Sequence, residues 1–410
     1  MFTTRTIRLF AYGFLSVALA LYLAQVGLTE PEIGLLLTLT LVGDVPMTLW
    51  ITTSADRNGR RRMLLLGAGL MVLAGLVFAL TNNFVLLVVT AIIGVISPSG
   101  NDIGPFLSIE QAGLSQLIPD RNRTRVFAWY NLVGSFATAL GALASGGLVQ
   151  VLQGNGLGLL ESYRVVMIGY ALFGLVLAAL FAFLTPAVET TALPASAAVR
   201  AAPDQNRSRL GLHKSQRVVL KLASFFALDA FAGGFVVQSI MALWFKTKFG
   251  IEPAVLGSIF FGANILAGVS ALLAARIAAR FGLINTMVFT HVPSNVLLIL
   301  VPLMPNLPLA ILMLLLRFSI SQMDVPTRQS YTVAVVEPDE RSAAQGVTSI
   351  ARSVGAAISP SLSGLFMAVP GLFSLPFFLS GGLKICYDLL LYRSFSAMKP
   401  PEEKNVKRET

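Results

Sequence analysis

Two aspartates lie inside long apolar stretches of the chain, in segments that proline and glycine interrupt. Asp102 lies in residues 97–105 (SPSGNDIGP) and Asp324 in residues 321–326 (SQMDVP), 222 positions apart. An ionisable group among apolar residues is costly unless it is paired or hydrated, so each is a functional candidate. A carboxyl group in such surroundings can exchange a proton for a cation. We expect the two aspartates to face each other, with Glu110 two helical turns beyond Asp102.

Each aspartate also has a purely structural interpretation. Arg328 follows Asp324 by four residues, a spacing at which two helical side chains can form an ion pair. Asp102 has no cation close to it in sequence, but it can cap a helix break together with Ser97 or Ser99. The sequence leaves these alternatives open.

Other polar and aromatic side chains in the apolar stretches are candidates for binding a substrate or protons. Besides the three carboxylates, these candidates are Asn101, Arg317, Arg328, Tyr12 and Gln238. Lys384 and Asp388 are four residues apart on one predicted helix, and we expect them to pair with each other for structural reasons. His291 is expected to be a hydrogen-bonded helix residue rather than a ligand.

The overall composition excludes several classes of protein. The chain has 410 residues, of which 55% are hydrophobic and 12% charged, with a mean hydropathy of +0.76. Soluble domains carry roughly 25% charged residues, so soluble enzymes, nucleic-acid binders and disordered scaffolds are excluded. One cysteine and two histidines cannot build a cysteine or histidine metal site, and there is no phosphate-binding loop for ATP. We therefore expect neither a metal nor a cofactor.

Twelve apolar stretches are long enough to cross a bilayer, whose hydrocarbon core of about 30 Å takes roughly 20 helical residues. They cover residues 7–26, 31–52, 63–81, 84–106, 125–150, 163–184, 218–245, 253–275, 284–304, 307–332, 343–368 and 372–394. We expect an all-α membrane protein with twelve transmembrane helices. Its expected parts are a six-helix half (1–184), a cytoplasmic linker (185–216), a second six-helix half (217–394) and a cytoplasmic tail (395–410).

Basic residues are distributed unevenly over the predicted loops, and this accounts for the net charge of +10. If the N-terminus lies inside, the outer loops hold only Arg164, Lys246 and Lys248, while the inner loops hold the clusters at 57–62 and 121–125. This asymmetry obeys the positive-inside rule. We expect a multi-pass protein of the cell membrane (plasma or inner) with both termini cytoplasmic. Its expected surroundings are the lipid bilayer, with no nucleic-acid partner.

The two halves show weak internal similarity at a nearly constant offset of 219 to 223 residues, which indicates a duplication of six helices. Matching positions are Gly27 with Gly250, Gly34 with Gly257, residues 55–59 with 278–282, and residues 119–120 with 338–339.

Residues 55–62 (ADRNGRRR), between the second and third predicted spans, resemble motif A of the major facilitator superfamily. The resemblance extends over essentially the whole chain. It implies two pseudo-symmetric six-helix halves, with the first, fourth, seventh and tenth spans lining a central cavity. Three features depart from the family pattern. Thr52 replaces a small residue, span four lacks the arginine of motif B, and span five lacks the Gly-Pro of the antiporter motif C.

Charged residues at the cytoplasmic ends of the spans could close the inner mouth of such a protein in one state and open it in another. The candidates for gating are Asp56, Arg57, Gly59, Arg60, Arg61, Arg352 and Asp44. The alternative for the arginines after Asp56 is that they only fix the topology.

Together these features predict a secondary active transporter that works by alternating access and functions as a monomer. Acidic residues in the expected cavity favour proton-coupled export of a cationic or amphiphilic compound, an antiport reaction. The alternative is uptake or facilitated diffusion of an organic anion held by Arg317 and Arg328. A non-transporting sensor or a membrane-embedded enzyme is the remote alternative, and we do not expect an enzyme.

Overall fold

The computed structural model describes residues 1–102, 106–117, 120–184, 212–337 and 340–398. Within these residues the secondary structure is helical, with no strand, as the sequence predicts. The α-helices are α1 (Phe2–Val26), α2 (Glu30–Asn58), α3 (Arg60–Leu80), α4 (Phe84–Ile93), α5 (Phe106–Leu117), α6 (Asp120–Gly154), α7 (Leu159–Ala182), α8 (Gln216–Gly234), α9 (Gln238–Phe249), α10 (Pro253–Phe281), α11 (Leu283–Leu300), α12 (Leu307–Ser321), α13 (Asp324–Ala334), α14 (Arg341–Met367) and α15 (Leu375–Phe395). Short 3₁₀ turns cover Val301–Leu303 and Pro370–Leu372.

Ten segments of the described residues are long and apolar enough to cross a bilayer. The remaining two predicted spans correspond to α4, a ten-residue apolar helix, and to α14, a 27-residue helix. The all-α prediction is confirmed, and each of the twelve predicted spans coincides with a helix or a pair of helices.

Three of the predicted spans are broken. As expected, α4 ends before the Pro- and Gly-containing segment at 97–102, and α12 ends at Ser321, just before Asp324 begins α13. The break between α8 and α9 was not expected, because residues 218–245 form one long, mostly apolar stretch without proline. The sequence signal for this break is the pair Gly233-Gly234, at which α8 ends.

The turn between α2 and α3 is shorter than the predicted loop. Asp56 and Arg57 belong to the last turns of α2, and Gly59 alone separates that helix from Arg60, the first residue of α3. Gly59 has a φ of 94°, a left-handed conformation that residues with a Cβ rarely adopt. The side chains of Asp56 and Arg57 lie outside the described part of the structure.

The chain divides into two compact units. The described residues of Met1–Val199, Val236–Ile265 and Pro360–Phe373 form unit 1, and those of Arg200–Phe235, Leu266–Ser359 and Ser374–Thr410 form unit 2. The predicted boundaries of the two six-helix halves and of the linker stay a prediction.

Small residues allow α1 and α6 to pack closely in unit 1. A Cβ on Gly13 would overlap the carbonyl oxygen of Thr138, and a Cβ on Gly141 would overlap that of Phe10. Helices in a membrane associate through such close packing, because lipid tails are as apolar as the helix surfaces and the hydrophobic effect does not drive the helices together. This contact fixes the position of α1, which carries Arg5 and Arg8 at its N-terminal end.

In unit 2 an aromatic and aliphatic core joins α8, α11, α13 and α15. Its fully buried members include Phe226, Met287, Tyr331 and Tyr387. This core lies next to the polar residues of the same helices, and it positions their ionisable side chains toward one another.

The segment before α8 is attached to the loop before α14 through one carboxylate. Glu340 accepts hydrogen bonds from the backbone N–H groups of His213 and Ser215, the latter at 3.0 Å. Ser215 in turn accepts a hydrogen bond from the N–H of Glu337. Burial of the Glu340 carboxyl opposes its ionisation, but the N–H donors of His213 and Ser215 lower its pKa below the usual value.

Substitution of Gly141 should separate α1 from α6. Gly141→Val is expected to lower the free energy of unfolding by about 1–3 kcal/mol, because the new side chain meets backbone that cannot move independently. Unfolding of the purified protein in mixed detergent micelles measures this change. Gly147→Val is the matched control on the same helix, since nothing lies within 4 Å of that position. Equal destabilisation by both variants would contradict the packing account.

Loss of the Glu340 charge should release the segment before α8. A carboxylate with a lowered pKa stabilises the folded state at any pH above its ordinary pKa of about 4.3. This contribution disappears as the pH falls through the lowered pKa. In Glu340→Gln at neutral pH, the amides of His213 and Ser215 should exchange with deuterium several-fold faster. Glu337→Gln, a half-exposed neighbour, should leave these amides protected.

Candidate functional site

A first group of buried charged residues, the N-terminal cluster, comprises Arg5, Arg8, Asp102, Glu110 and Tyr130 in unit 1. Arg5 donates to Asp102 at 2.6 Å, and Arg8 donates to the same carboxylate at 3.0 Å. Arg8 also pairs with Glu110 at 2.8 Å and is fully buried. Two arginines on α1 therefore neutralise two carboxylates on either side of the break after α4.

Glu110 is the most enclosed acid of this cluster. Its carboxylate accepts hydrogen bonds from the hydroxyls of Thr4, at 2.7 Å, and Tyr130. The Arg5 guanidinium lies 4.2 Å from the centre of the Tyr130 ring and donates to Asn131 at 3.1 Å. Every charge of the cluster thus has a partner of opposite sign, as buried charges require.

Sequence reasoning found no cation close to Asp102 and did not select Arg5 or Arg8 as site residues. The structure brings them together across almost 100 residues of sequence. The available signal was the spacing of the arginines, which are three residues apart and therefore share one face of α1.

A second group, the C-terminal cluster, lies in unit 2 around Asp229. This carboxylate contacts Lys384 at 2.6 Å, Arg352 at 2.8 Å and Arg328 at 3.3 Å. Arg328 also pairs with Asp324 at 2.7 Å, which is the four-residue ion pair left open as the structural alternative. Asp229 therefore connects α8 to α13, α14 and α15.

His291 and Asp388 complete the C-terminal cluster. The imidazole Nδ1 lies 2.9 and 3.1 Å from the two carboxylate oxygens of Asp388, and Asn295 donates to that carboxylate at 3.2 Å. The expected pairing of Lys384 with Asp388 is wrong in this structure, because Lys384 turns to Asp229 instead. His291 is hydrogen-bonded, as expected.

A network of uncharged groups in unit 1 surrounds the start of α9. Gln238 is buried, donates to the hydroxyl of Ser16 at 2.8 Å and accepts from Asn264 at 3.2 Å. The hydroxyl of Ser239 donates to backbone oxygens of Ser16 and Pro98, at 2.7 and 2.8 Å. These contacts hold α9 against α1 and against the break after α4.

The other predicted site residues have varied environments. Tyr12 is fully buried on α1, and Asn101 is exposed in the break after α4. Asp44 accepts a hydrogen bond from Thr48 at 3.2 Å. The guanidinium of Arg317 lies 4.8 Å from the ring centre of Phe318, and its buried Nε has no hydrogen-bond partner among the described residues. Binding roles for these residues stay predictions.

The predicted gating residues are only partly described. Arg60 is buried and Arg61 exposed, and Gly59 forms the tight turn before them. Arg352, expected near this turn, contacts Asp229 with a side chain that is 32% exposed. The part that these residues play in gating stays a prediction.

The two clusters differ in their charge balance. The N-terminal cluster has two arginines and two carboxylates. The C-terminal cluster has three carboxylates against Arg328, Arg352 and Lys384, with His291 as a group that can be neutral or charged. Arg317 interacts electrostatically with Asp324 and Asp229, and it adds a further cation next to this cluster.

A family comparison agrees with this architecture. The sequence model of the Major Facilitator Superfamily matches residues 1–316 and 222–410 of the chain. The chain belongs to the Major Facilitator Superfamily. It is therefore a multi-pass membrane protein and a transporter of small molecules rather than an enzyme. An uncharacterised membrane protein of Saccharomyces cerevisiae is 33% identical over 424 residues, covering 98% of this chain and 94% of the relative.

Solved transporters share the fold at low sequence identity. A bacterial homologue of the human lysosomal transporter Spinster, in an inward-facing and occupied conformation, has a TM-score of 0.72 and 15% identity, covering 96% of each chain. A D-xylose–proton symporter has a TM-score of 0.73 and 14% identity, covering 95% of this chain and 96% of the symporter. The nucleoside transporter NupG has a TM-score of 0.71 and 14% identity, covering 96% of this chain and 98% of NupG. At such identities the likeness shows the fold alone.

Removal of the Asp229 carboxylate should strongly destabilise the protein. Asp229→Asn leaves three cations in contact with an uncharged group, and the loss of one partner from a buried ion pair costs about 3–5 kcal/mol. Unfolding in mixed micelles measures the effect. Glu161→Gln is the control, since this exposed pair with Arg164 is worth less than about 1 kcal/mol. A small effect at Asp229 would mean that the cluster does not hold unit 2 together.

Proposed function

We propose that the chain is a proton-coupled secondary transporter that takes up small organic anions by alternating access. The observation that carries this proposal is the surplus of cations in unit 2. There the three carboxylates of the C-terminal cluster face three permanent cations, and Arg317 adds a fourth. A cation in a membrane-spanning helix needs a counter-charge, and a substrate anion supplies one.

Arg317 and Arg352 are the side chains best suited to meet this anion. Both are partly exposed, whereas Arg328 and Lys384 are buried and paired. Arg317 has one buried nitrogen without a partner among the described residues. A guanidinium presents several donors in a plane, which matches the two oxygens of a carboxylate or phosphate.

Export of a cationic compound in exchange for protons, the expectation from sequence, receives less support. That function needs carboxylates that are available to a cation. Asp102, Glu110 and Asp324 each pair with an arginine at 3.0 Å or less. A cationic substrate would have to displace a bound guanidinium from each of them.

Coupling to protons follows from the electrical cost of moving an anion into a cell. A membrane potential, negative inside, opposes entry of one negative charge by about 2.3 kcal/mol per 100 mV. One proton carried with a monovalent anion cancels that charge. The proposed cycle therefore moves substrate and proton together, with halves 1–184 and 217–394 of a monomer rocking about the site. Both termini face the cytoplasm of a cell (plasma or inner) membrane.

Uptake into proteoliposomes tests the proposal with defined probes. Radiolabelled L-lactate, succinate, benzoate and inorganic phosphate represent anions, and choline and tetraphenylphosphonium represent cations. An inwardly directed proton gradient should drive accumulation of at least one anion, and a protonophore should abolish it. Accumulation of a cation driven by an outwardly directed gradient would favour the exporter instead. Uptake that ignores the protonophore would indicate facilitated diffusion.

Variants of Arg317 test whether this residue binds the anion. Arg317→Gln should reduce the initial rate of anion uptake at least tenfold, which corresponds to about 1.4 kcal/mol of lost binding to the charged group. Arg317→Lys, which keeps the charge, should retain part of the rate. Arg280→Gln at the end of α10 is the control, and it should transport normally. Normal uptake by Arg317→Gln would exclude Arg317 from the substrate site.

A further inference from the structure

His291 and Asp388 form a buried pair that the expected transport machinery does not include. Their side chains are 5% and 1% exposed, on α11 and α15 of unit 2. Nδ1 of the imidazole is within hydrogen-bond distance of both carboxylate oxygens. Asn295, also fully buried, donates to one of these oxygens at 3.2 Å.

The three aspartates of the C-terminal cluster differ in the kind of partner they have. Asp229 contacts two arginines, a lysine and, at 4.0 Å, Nε2 of His291, and Asp324 contacts Arg328. Asp388 has no permanent cation within 4 Å among the described residues, and its charged partner is an imidazole. Since an imidazole is charged only when protonated, the charge on Asp388 is balanced only while the pair holds a proton.

We propose that the His291–Asp388 pair is the proton-carrying site of the transporter. The inference rests on the proposed function in one respect, namely that the transport cycle carries protons. In each cycle the pair takes one proton from the outer compartment and releases the same proton to the inner one. No other covalent bond is made or broken. The carboxylates first expected to carry the proton are Asp102, Glu110 and Asp324. Each is held by a guanidinium group, which does not release a proton.

Release of the proton leaves a carboxylate buried in apolar surroundings, which is unfavourable without a new partner. Lys384 lies one helical turn from Asp388, at the four-residue spacing that allows the two to pair. It now donates to Asp229, which keeps Arg328 and Arg352 if the lysine leaves. Deprotonation therefore draws Lys384 from Asp229 to Asp388 and breaks one ion pair between α8 and α15. Proton release and helix contacts are coupled in this way.

Charged and titratable groups next to the pair are Asp229 on α8 and Lys384 with Tyr387 on α15. Further charged groups of the cluster lie around Asp229; they are Arg317 on α12, Asp324 and Arg328 on α13, and Arg352 on α14. The permanent cations among them contact or face Asp229 and Asp324 rather than Asp388. The pair therefore contains the imidazole of this cluster, the kind of side chain whose ordinary pKa lies between pH 5 and pH 8.

The protonation of His291 can be followed directly, without any substrate. The chain has two histidines, so ¹⁵N-histidine labelling gives two imidazole signals in solid-state NMR spectra of the full chain in phospholipid vesicles. His213→Asn removes one signal and assigns the other. Across a titration from about pH 5 to about pH 9, His291 should change protonation state.

Two variants should shift this titration in opposite directions. Asp388→Asn removes the anion that stabilises the protonated imidazole, so His291 should lose its proton at least one pH unit lower, a tenfold change in affinity. Lys384→Gln removes the partner of the deprotonated state, so the pair should hold its proton to higher pH by a similar amount. Lys384→Gln also keeps the test decisive if Asp388→Asn fails to fold. Lys221→Gln on α8 is the control, with an unchanged titration.

Two results would overturn the proposal: one protonation state of His291 across the whole range, or a titration that neither variant shifts. The experiment also separates this inference from the substrate assignment. If the pair titrates as expected but no anion of the panel is taken up, the result supports the proton site and excludes the assignment of an organic anion as substrate. Proton-driven uptake of an anion by a chain whose His291–Asp388 pair does not titrate would support the proposed function and exclude the pair as the proton site.

Discussion

A charge inside a membrane protein needs a nearby opposite charge, and this constraint organises both units of the structure. The cost of an unpaired ion in apolar surroundings is several kcal/mol, which is comparable to the whole stability of a domain. Arg8, fully buried on α1, is tolerated because Asp102 and Glu110 lie within 3.0 Å of it. Asp229 is tolerated because three cations converge on it. The helices are therefore held by ion pairs as well as by packing.

The two clusters meet this constraint with opposite arrangements. In unit 1 the cations are on α1 and the acids lie around the break after α4. In unit 2 the central acid is on α8, and the cations come from α13, α14 and α15. The charged residues of the two clusters therefore come from different sets of helices in the two units.

Ion pairs also provide the alternatives that a conformational cycle needs. A pair between two permanently charged groups stabilises one arrangement, and it changes only if another partner of the same sign replaces it. Lys384 has two aspartates within reach on α8 and α15, and one of them is balanced by a titratable imidazole. In the proposed cycle, a change of protonation decides which of the two aspartates Lys384 contacts. Packing through glycine, such as that of Gly141 on α6 against α1, offers no such pair of alternative contacts.

The sequence by itself determined the helical architecture, because the apolar composition and the length of each stretch allow no other structure in a bilayer. It also located the breaks at 97–102 and before Asp324, since proline and glycine interrupt helical hydrogen bonding wherever they occur. It did not indicate the break at Gly234 with the same clarity, as the surrounding residues remain apolar.

Only the tertiary structure decided which charges meet. Arg5 and Arg8 reach Asp102 across more than 90 residues, and Lys384 prefers Asp229 to the aspartate four residues away. Spacing along one helix restricts which side chains can touch, but contacts between helices depend on packing that a single sequence does not display. For this reason the sequence identified candidates such as Asp102 and Asp324, and of their partners it offered only Arg328, four residues after Asp324.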